Sequence, residues 1–315
     1  MSSPLLSVSG LSVDYGDGAV VDGLSMDVAP GQIIGLVGES GCGKTSFGWA
    51  VLGSLPRYAR VAGSIMFEGE QLFAMKAKRR RELLGLRLSC VPQSALASLD
   101  PMYSVRRQLS EVVLAHRKAG RAEVNAAILK ALSQVGLSTD EAQLRAYPHQ
   151  LSGGMRQRVA IAAAMLLSPA LIIADEPTSS LDVTSQAQVL FTFKALIKEN
   201  GSAVIFITHD LGVVALFCER VAVMYAGQIV EEGNTSDVFE DPKHPYTKML
   251  LEAHPGGQGP TRRLATIPGS VPEPKKRGAG CSFMSRCPVA VDLCRDAPPW
   301  VAVDDGRLVR CVHYS

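Results

Sequence analysis

The feature that most constrains this chain is a glycine-rich segment, residues 38–45, which reads GESGCGKT. It fits the pattern G-x-x-x-x-G-K-[ST] at every fixed position. An apolar run, Ile33–Val37, precedes it, and residues 46–55 after it are compatible with a helix. This context predicts a buried strand, a loop and a helix, with backbone N–H groups and the helix N-terminus facing a bound phosphate. The alternative, a glycine-rich turn that happens to contain lysine, leaves the flanking elements unexplained.

Residues 38–45 are called the phosphate loop below, and two of its side chains carry predicted chemistry. Lys44 is expected to bridge the β- and γ-phosphates of a nucleotide, and the Thr45 hydroxyl to ligate magnesium. Cys42 lies near Lys44 and the helix N-terminus, which favours the thiolate and predicts a reactive thiol. Further nucleotide contacts are predicted at Gly38, Glu39, Ser40, Gly41, Cys42, Gly43 and Ser46.

A second candidate group of residues ends an apolar run, where residues 171–176 read LIIADE. Asp175, at the end of a buried strand, is expected to hold magnesium directly or through its waters. Glu176 is expected to polarise the attacking water as a general base. The alternative is a pair of solvated acids at a strand end, which requires no role for either residue.

Residues 151–158 read LSGGMRQR and place Ser152, Gly153 and Gly154 at the start of a predicted helix, a second anion-binding N-terminus. This segment resembles the signature sequence of ATP-binding cassettes. Further marks of that family occur in the expected order, namely Tyr15, Gln93 in VPQ, Asp182 in SSLD, and His209 after an apolar run. The resemblance covers about residues 5–233.

The resemblance implies a head-to-tail dimer, in which the signature of one subunit closes over ATP held by the phosphate loop of the other. It implies that Tyr15 stacks on adenine. The other nucleotide contacts that it implies are Gln93, Ser152, Gly153, Gly154, Asp175 and Asp182. The magnesium ligands that it implies are Thr45, Gln93 and Asp175. The catalytic residues that it implies are Glu176, His209 and Gln93.

The expected fold class is α/β, a P-loop NTPase cassette with a mixed sheet core, an antiparallel β subdomain and a helical subdomain. Residues 5–26 alternate as antiparallel strands do, and residues 83–151 are mostly helical in pattern. The apolar runs 171–174 and 203–208 flank a helical stretch, residues 185–199, which predicts a parallel sheet with crossover helices.

Two domains are expected. The cassette would occupy residues 1–253, with its helical subdomain at about residues 94–158. Composition changes after Glu252, where residues 254–280 hold six glycines and five prolines. Residues 254–315 are therefore expected to form a Pro/Gly-rich connector and a small Cys-rich module.

One segment within the cassette and several near or after its end resemble one branch of the family, the oligopeptide, dipeptide and nickel importer ATPases. The matching segments are SLDP at 98–101, YAGQIVEEG at 225–233, HPYTK at 244–248, IPGSVP at 267–272, and Gly280-Cys281. The resemblance implies an ATP hydrolase that drives uptake of di- or oligopeptides. A nickel or other small-solute importer ATPase is the alternative, and a non-transport cassette ATPase a distant one. Two departures, Cys42 for serine and Ser180 for alanine, remove no phosphate or magnesium contact.

Partners follow from the same resemblance. It implies two transmembrane permease subunits, a second and different ABC ATPase, and indirectly an extracytoplasmic solute-binding protein. A net charge of +2 gives no indication of nucleic acid binding. The chain has neither a twenty-residue apolar span nor a secretion signal at its start, so we expect a peripheral protein at the cytoplasmic face of the cell membrane.

Four of the seven cysteines, Cys281, Cys287, Cys294 and Cys311, fall in the last 35 residues with the spacing C-x5-C-x6-C-x16-C. A reducing compartment disfavours disulfides. The spacing lacks the close pair of a zinc knuckle and suits a larger cubane, so a [4Fe-4S] cluster is the favoured expectation. Zn²⁺ and unligated thiols remain the alternatives.

Overall fold

A computed structural model of the chain describes residues 3–179, 181–254, 266–304 and 306–315. The chain divides into two compact units. The first unit comprises residues 1–28, 33–73 and 206–315. The second unit comprises residues 29–32 and 74–205. Residues 266–304 and 306–315, called the C-terminal segment below, belong to the first unit.

The described strands, in chain order, are β1 (Leu6–Asp14), β2 (Ala19–Val28), β3 (Ile33–Val37), β4 (Arg60–Phe67), β5 (Glu70–Gln71), β6 (Leu88–Val91), β7 (Leu171–Asp175), β8 (Ala203–Thr208), β9 (Arg220–Tyr225), β10 (Gln228–Asn234), β11 (Val301–Asp304) and β12 (Arg307–Val309). The described α-helices are α1 (Lys44–Leu52), α2 (Ala77–Leu83), α3 (Ala95–Ser98), α4 (Val105–Leu114), α5 (Arg121–Gln134), α6 (Glu141–Arg145), α7 (Gly153–Met165), α8 (Val183–Asn200), α9 (Leu211–Phe217), α10 (Thr235–Glu240) and α11 (Pro245–Glu252).

The first unit contains an antiparallel sheet with strand order β2-β1-β4-β5. In β1 the apolar side chains of Leu6, Val8, Leu11 and Val13 are buried. Alternate residues of a strand point to the same face, and an irregularity in the register between Val8 and Leu11 lets the alternation resume on that face. β1 pairs antiparallel with β2, as the alternation over residues 5–26 predicts.

A second, mixed set of strands in the first unit runs in the order β11-β12-β10-β9-β3. β3 pairs parallel with β9, and all five of its residues are buried, which explains its continuous apolar sequence. β10 pairs antiparallel with both β9 and β12. The predicted mixed sheet is therefore present, and the C-terminal segment contributes two strands that the sequence pattern did not reveal.

Helix α1 begins at Lys44, two residues before the predicted start, and ends before Gly53, whose φ of 64° supplies a left-handed C-cap. The predicted helix extended to residue 55. The difference follows from Gly43, which ends the loop and lets the helix begin inside the motif.

The second unit contains helices α2–α7, and α3–α6 lie within residues 83–151, where the sequence predicted a mostly helical stretch. Residues 88–91 are the exception, because they form β6 and pair parallel with β7. Their four letters, LSCV, are too few to distinguish a strand from a helix by periodicity. Helix α4 begins after the cap Ser104, whose side chain accepts from the Arg107 N–H.

In the part of the chain that the structure describes, no helix is both long and apolar enough to cross a membrane. The predicted connector, residues 254–280, lies partly outside the described residues. The boundary expected after residue 253, and the helical subdomain expected at residues 94–158, remain predictions.

Candidate active site

The phosphate loop connects β3 to α1, and its backbone requires glycine at two positions. Gly38 has a φ of 153°, and a Cβ added there would lie 2.1 Å from the Met224 carbonyl oxygen. Gly43 has a φ of 110°, and a Cβ there would lie 2.6 Å from the Val20 carbonyl oxygen. Any side chain at either position would therefore displace neighbouring backbone, which explains the fixed glycines of the motif.

Lys44 is buried at the start of α1, with 7% of its surface exposed. Its Nζ donates to the carbonyl oxygens of Gly38 at 2.8 Å and Glu39 at 3.0 Å. Gly43, the N-cap, provides no side-chain hydrogen bond to the first turn. The ammonium and the N–H groups of that turn therefore form an anion-binding arrangement.

Tyr15 lies beside the first turn of α1, where its hydroxyl donates to Ser46 Oγ at 3.2 Å. Its ring meets the exposed Tyr58 edge-on, with 6.2 Å between centroids. The structure thus brings Tyr15 and Ser46 together, and adenine stacking on Tyr15 stays a prediction.

The prediction of a reactive Cys42 thiolate is wrong. The Cys42 side chain is 0% exposed, and burial raises the pKa of its thiol despite the opposing effect of Lys44. Removal from water disfavours the charged thiolate more than the nearby ammonium favours it. The sequence revealed the ammonium but not the burial.

In the second unit, Asp175 ends β7 and Glu176 follows with a φ of 43°, which is uncommon for a residue other than glycine. The Gln93 amide nitrogen donates to Glu176 Oε2 at 2.9 Å. The structure therefore joins two of the predicted catalytic residues. Strained backbone of this kind is concentrated at functional sites, where surrounding contacts hold it in place.

The signature residues open α7. Ser152 Oγ accepts a hydrogen bond from the Met155 N–H at 3.2 Å, and Ser152 and Gly153 are exposed. A Cβ at Gly154 would meet Ser185 Oγ at 3.8 Å, which places the signature beside the start of α8.

The predicted residue Asp182 is the N-cap of α8, and its carboxylate accepts from the Ser185 N–H at 3.0 Å. This bond holds the pKa of Asp182 below its usual value. Ser180, one of the two departures from the family pattern, lies outside the described residues. His209, in the first unit, directly follows β8 and is exposed.

Two families match this chain. The ABC transporter family matches residues 21–179, which is half of the sequence. The chain belongs to this family. The C-terminal region of oligopeptide/dipeptide transporters matches residues 230–294.

Similar proteins extend the match to nearly the full length. A probable peptide ABC transporter ATP-binding protein of Sinorhizobium fredii is 43% identical, covering 94% of this chain and 91% of the relative. The dipeptide transport ATP-binding protein DppD of Haemophilus influenzae is 42% identical, covering 98% and 94%. Among solved structures, cbiO1 of Clostridium perfringens, part of an ABC transporter complex, is 28% identical with a TM-score of 0.66, covering 76% and 92%. The predicted α/β cassette fold and the predicted ABC-type ATPase are confirmed.

The residues of this ABC ATPase suit ATP and Mg²⁺ in chemical type. The absence of a Cβ at Gly38 and Gly43 lets the loop backbone pack against the carbonyl oxygens of Met224 and Val20. The loop ends at Lys44, whose ammonium can bind phosphate. Thr45 offers a hydroxyl and Asp175 a carboxylate, the oxygen ligands that Mg²⁺ prefers. Gln93 bonds to Glu176 through its amide nitrogen, so this bond leaves the amide oxygen as an oxygen ligand of the kind that Mg²⁺ prefers.

The four late cysteines lie in one neighbourhood of the C-terminal segment. The Cys281 N–H donates to the Cys294 carbonyl at 2.8 Å, and Cys294 and Cys311 are buried. Burial raises the pKa of Cys281, and charge on the other three thiols would raise it further. Among the described residues, however, no three His, Cys, Asp or Glu side chains are arranged to hold a metal ion. The placement of these thiols therefore gives no support for the expected cluster or for zinc.

Sequence reasoning also missed a partner of the phosphate loop. Glu39 was expected only to contact nucleotide, but its carboxylate pairs with Arg286 of the C-terminal segment at 2.7 Å. No periodicity or motif links two residues so distant in sequence.

Proposed function

We propose that this chain is the ATP-hydrolysing subunit of a multi-subunit ABC importer that takes up di- or oligopeptides. The observation that carries the proposal is the match of residues 230–294 to the C-terminal region of oligopeptide/dipeptide transporters. The cassette itself is common to ABC ATPases of many substrates, so the C-terminal match supports the substrate class. ATP binding and hydrolysis would supply the free energy for uptake.

The roles proposed for the residues follow the geometry of each unit. Lys44 and the N–H groups around it bind the phosphates, and Thr45 offers its hydroxyl to the magnesium ion that accompanies ATP. Asp175 and the Gln93 amide oxygen would be its further ligands. Glu176 accepts a proton from the attacking water, oriented by the bond from Gln93. Mg²⁺ would neutralise charge that develops on the phosphate oxygens.

The remaining assigned residues complete the ATP contacts. Tyr15 stacks on adenine, and His209 assists the catalytic step. Ser152, Gly153 and Gly154, with Asp182, act on ATP bound to a second cassette in a head-to-tail dimer. The exposed N-terminus of α7 supports this role, because an uncovered helix N-terminus attracts an anion.

The proposed partners are two permease subunits in the membrane, a second and different ABC ATPase, and a solute-binding protein outside the membrane. In this arrangement the chain is a peripheral protein at the cytoplasmic membrane face. The purified chain alone should then hydrolyse ATP poorly and gain activity with its partners. Full cooperative turnover by the isolated homodimer would contradict the proposal of two different ATPases.

Transport is the direct test of the proposed substrate class. Proteoliposomes containing the chain, its permeases and its partner ATPase should accumulate a labelled dipeptide when ATP and the solute-binding protein are supplied. Vesicles carrying Glu176→Gln are the matched control and should not accumulate it. Accumulation of labelled nickel without dipeptide would favour the alternative substrate, and uptake of neither with normal ATP hydrolysis would contradict peptide import.

We also propose that Cys281, Cys287, Cys294 and Cys311 hold a [4Fe-4S] cluster, with Zn²⁺ as the alternative. The proposal rests on the sequence spacing of the four cysteines, and ligation requires their side chains to move from their present positions. Anaerobically purified protein should contain about four iron and four sulfide per chain. One zinc without iron would refute the cluster, and the absence of any metal would refute both.

A further inference from the structure

The phosphate loop is bonded to the C-terminal segment through Glu39. Arg286 Nη1 and Nη2 donate to the two carboxylate oxygens of Glu39 at 2.7 and 3.0 Å. The Arg286 side chain is 4% exposed and the Glu39 side chain 26%. A two-pronged bond of this kind between guanidinium and carboxylate fixes orientation as well as distance.

The rest of the Arg286 guanidinium is also bonded. Nε donates to the Pro268 carbonyl at 2.7 Å, Nη1 to the Tyr225 hydroxyl at 3.3 Å, and Nη2 to the Ile267 carbonyl at 3.4 Å. With the two bonds to Glu39, all five N–H groups of the guanidinium have an acceptor. The Arg286 guanidinium is therefore bonded to Pro268, Ile267 and Tyr225 as well as to Glu39 of the phosphate loop.

The backbone of Glu39 is bonded in two directions. Its N–H donates to the hydroxyl of Tyr246 at 2.9 Å, and its carbonyl accepts from Lys44 Nζ at 3.0 Å. Tyr246 is fully buried and packs against Tyr225 and Phe283, with ring centroids 4.6 and 5.4 Å apart. Tyr246 belongs to the HPYTK segment, to which the nucleotide chemistry gives no role.

These contacts form a continuous path from the C-terminal segment to the phosphate-binding lysine. Arg286 and Tyr246 hold Glu39, and the Glu39 carbonyl is one of the two carbonyls that accept from Lys44 Nζ. A loop already fixed in one conformation loses less conformational entropy when ATP binds, so its affinity is higher.

We infer that Arg286 is a positioning residue for the phosphate loop, so that ATP affinity depends on the C-terminal segment. This inference rests on the proposed function, because it presumes that the loop binds ATP. Arg286 acts on the loop through Glu39. The C-terminal segment accordingly helps to fix the conformation of the phosphate loop through the contact between Arg286 and Glu39.

The test measures equilibrium binding of ATP with Mg²⁺ to the purified full-length chain and to four variants. Arg286→Met removes the charge and keeps much of the side-chain length, and Arg286→Lys keeps the charge without the fork. Glu39→Gln removes the partner charge with little change of volume. Arg295→Met is the matched control, because Arg295 also adjoins one of the late cysteines but is 74% exposed.

Arg286→Met is expected to raise the dissociation constant for ATP about tenfold, within the usual range for coupling between two sites. Arg286→Lys should fall between Arg286→Met and the wild type. The double variant of Glu39→Gln and Arg286→Met should bind no more weakly than Arg286→Met alone, because the two residues act through one contact. Arg295→Met should leave the constant unchanged.

Circular dichroism and thermal unfolding identify any variant that fails to fold. If Arg286→Met does not fold, Glu39→Gln and Arg286→Lys carry the test, with amide hydrogen exchange over residues 38–45 as a second readout. Faster exchange and weaker ATP binding in folded variants support the inference. Folded Arg286 and Glu39 variants with wild-type affinity would overturn it, whereas a wild-type chain that binds no ATP would overturn the proposed function instead.

Discussion

The phosphate loop and the C-terminal segment reach their conformations by different means. The loop is specified within eight residues, by glycines that allow its backbone path and by Lys44, which bonds to two of the loop's own carbonyls. The described regular structure of the C-terminal segment is limited to short 3-10 turns and the strands β11 and β12. Its order depends on contacts with distant parts of the chain.

One of these distant contacts is a buried ion pair between Arg307 and Glu231. The two side chains are 3% and 0% exposed, with 2.6 Å between Arg307 Nη2 and Glu231 Oε1. The Glu231 carboxylate also accepts from the N–H groups of Lys243 and His244, each at 2.9 Å. The phosphate loop thus takes its conformation from residues within it, whereas pairs distant in sequence fix the C-terminal segment.

The largest expected effect is a loss of ATP hydrolysis without a loss of ATP binding or of folding. Glu176→Gln should lower ATP hydrolysis by about 10²–10⁴-fold, the usual contribution of a general base. It should keep ATP binding and trap a closed dimer, because the amide cannot accept the proton from water. Steady-state hydrolysis in the assembled transporter, together with ATP binding and thermal unfolding, measures this. A normal hydrolysis rate would show that the base is another residue.

The next effect concerns stability of the C-terminal segment. Arg307→Met leaves the Glu231 carboxylate buried without its cation, which should cost about 3–5 kcal/mol of unfolding free energy. Urea unfolding followed by fluorescence measures it. Arg295→Met is the control, since its exposed pair with Asp292 is worth about 1 kcal/mol or less. Equal losses in the two variants would contradict the proposed role of the buried pair.

A third effect compares two glycines inside the phosphate loop. Gly38→Ala would place its Cβ 2.1 Å from the Met224 carbonyl oxygen, so the loop must shift and ATP binding should be lost. Gly41→Ala meets nothing within 4 Å and incurs only the cost of its φ of 80°, about 1–3 kcal/mol. ATP titration of both variants tests this. Equal binding by the two would mean that the contact with Met224 does not control the loop.

The smallest effect concerns thiol reactivity. Because the pKa of Cys42 is raised, less thiolate is present at neutral pH, and labelling should quicken as pH rises. Brief maleimide treatment of the folded chain at pH 7 should therefore modify the exposed Cys90 and spare the buried Cys42. Peptide mass spectrometry identifies the labelled residue, with denatured protein as the control. Early labelling of Cys42 would contradict its burial.

Elements that are specified by contiguous residues were predictable from sequence. The phosphate loop, the strand that precedes it and the acids that end β7 each follow from contiguous letters, and the structure places them as expected. The strand β6 was not predictable, because its four residues become a strand by pairing with β7, which lies 83 residues away for the pair Leu88 and Leu171.

Contacts distant in sequence were beyond the same reasoning. Arg286 and Glu39 are 247 residues apart, and nothing in the spacing of either residue indicates the other. The pKa of Cys42 was unpredictable for the same reason. Its neighbours in sequence favour a thiolate, whereas its neighbours in space exclude water and raise the pKa of the thiol. Burial and pairing are properties of the folded chain, so they required coordinates.

Equilibrium binding of ATP with Mg²⁺ to the purified chain and to its Lys44→Ala variant tests whether residues 38–45 form the ATP-binding loop. We expect saturable binding by the wild type, weakened about 10- to 100-fold in the variant, the usual loss for hydrogen bonds from a charged group. Wild-type protein that binds no ATP, or a folded Lys44→Ala variant that binds it equally well, would contradict the assignment of residues 38–45 as the ATP-binding loop.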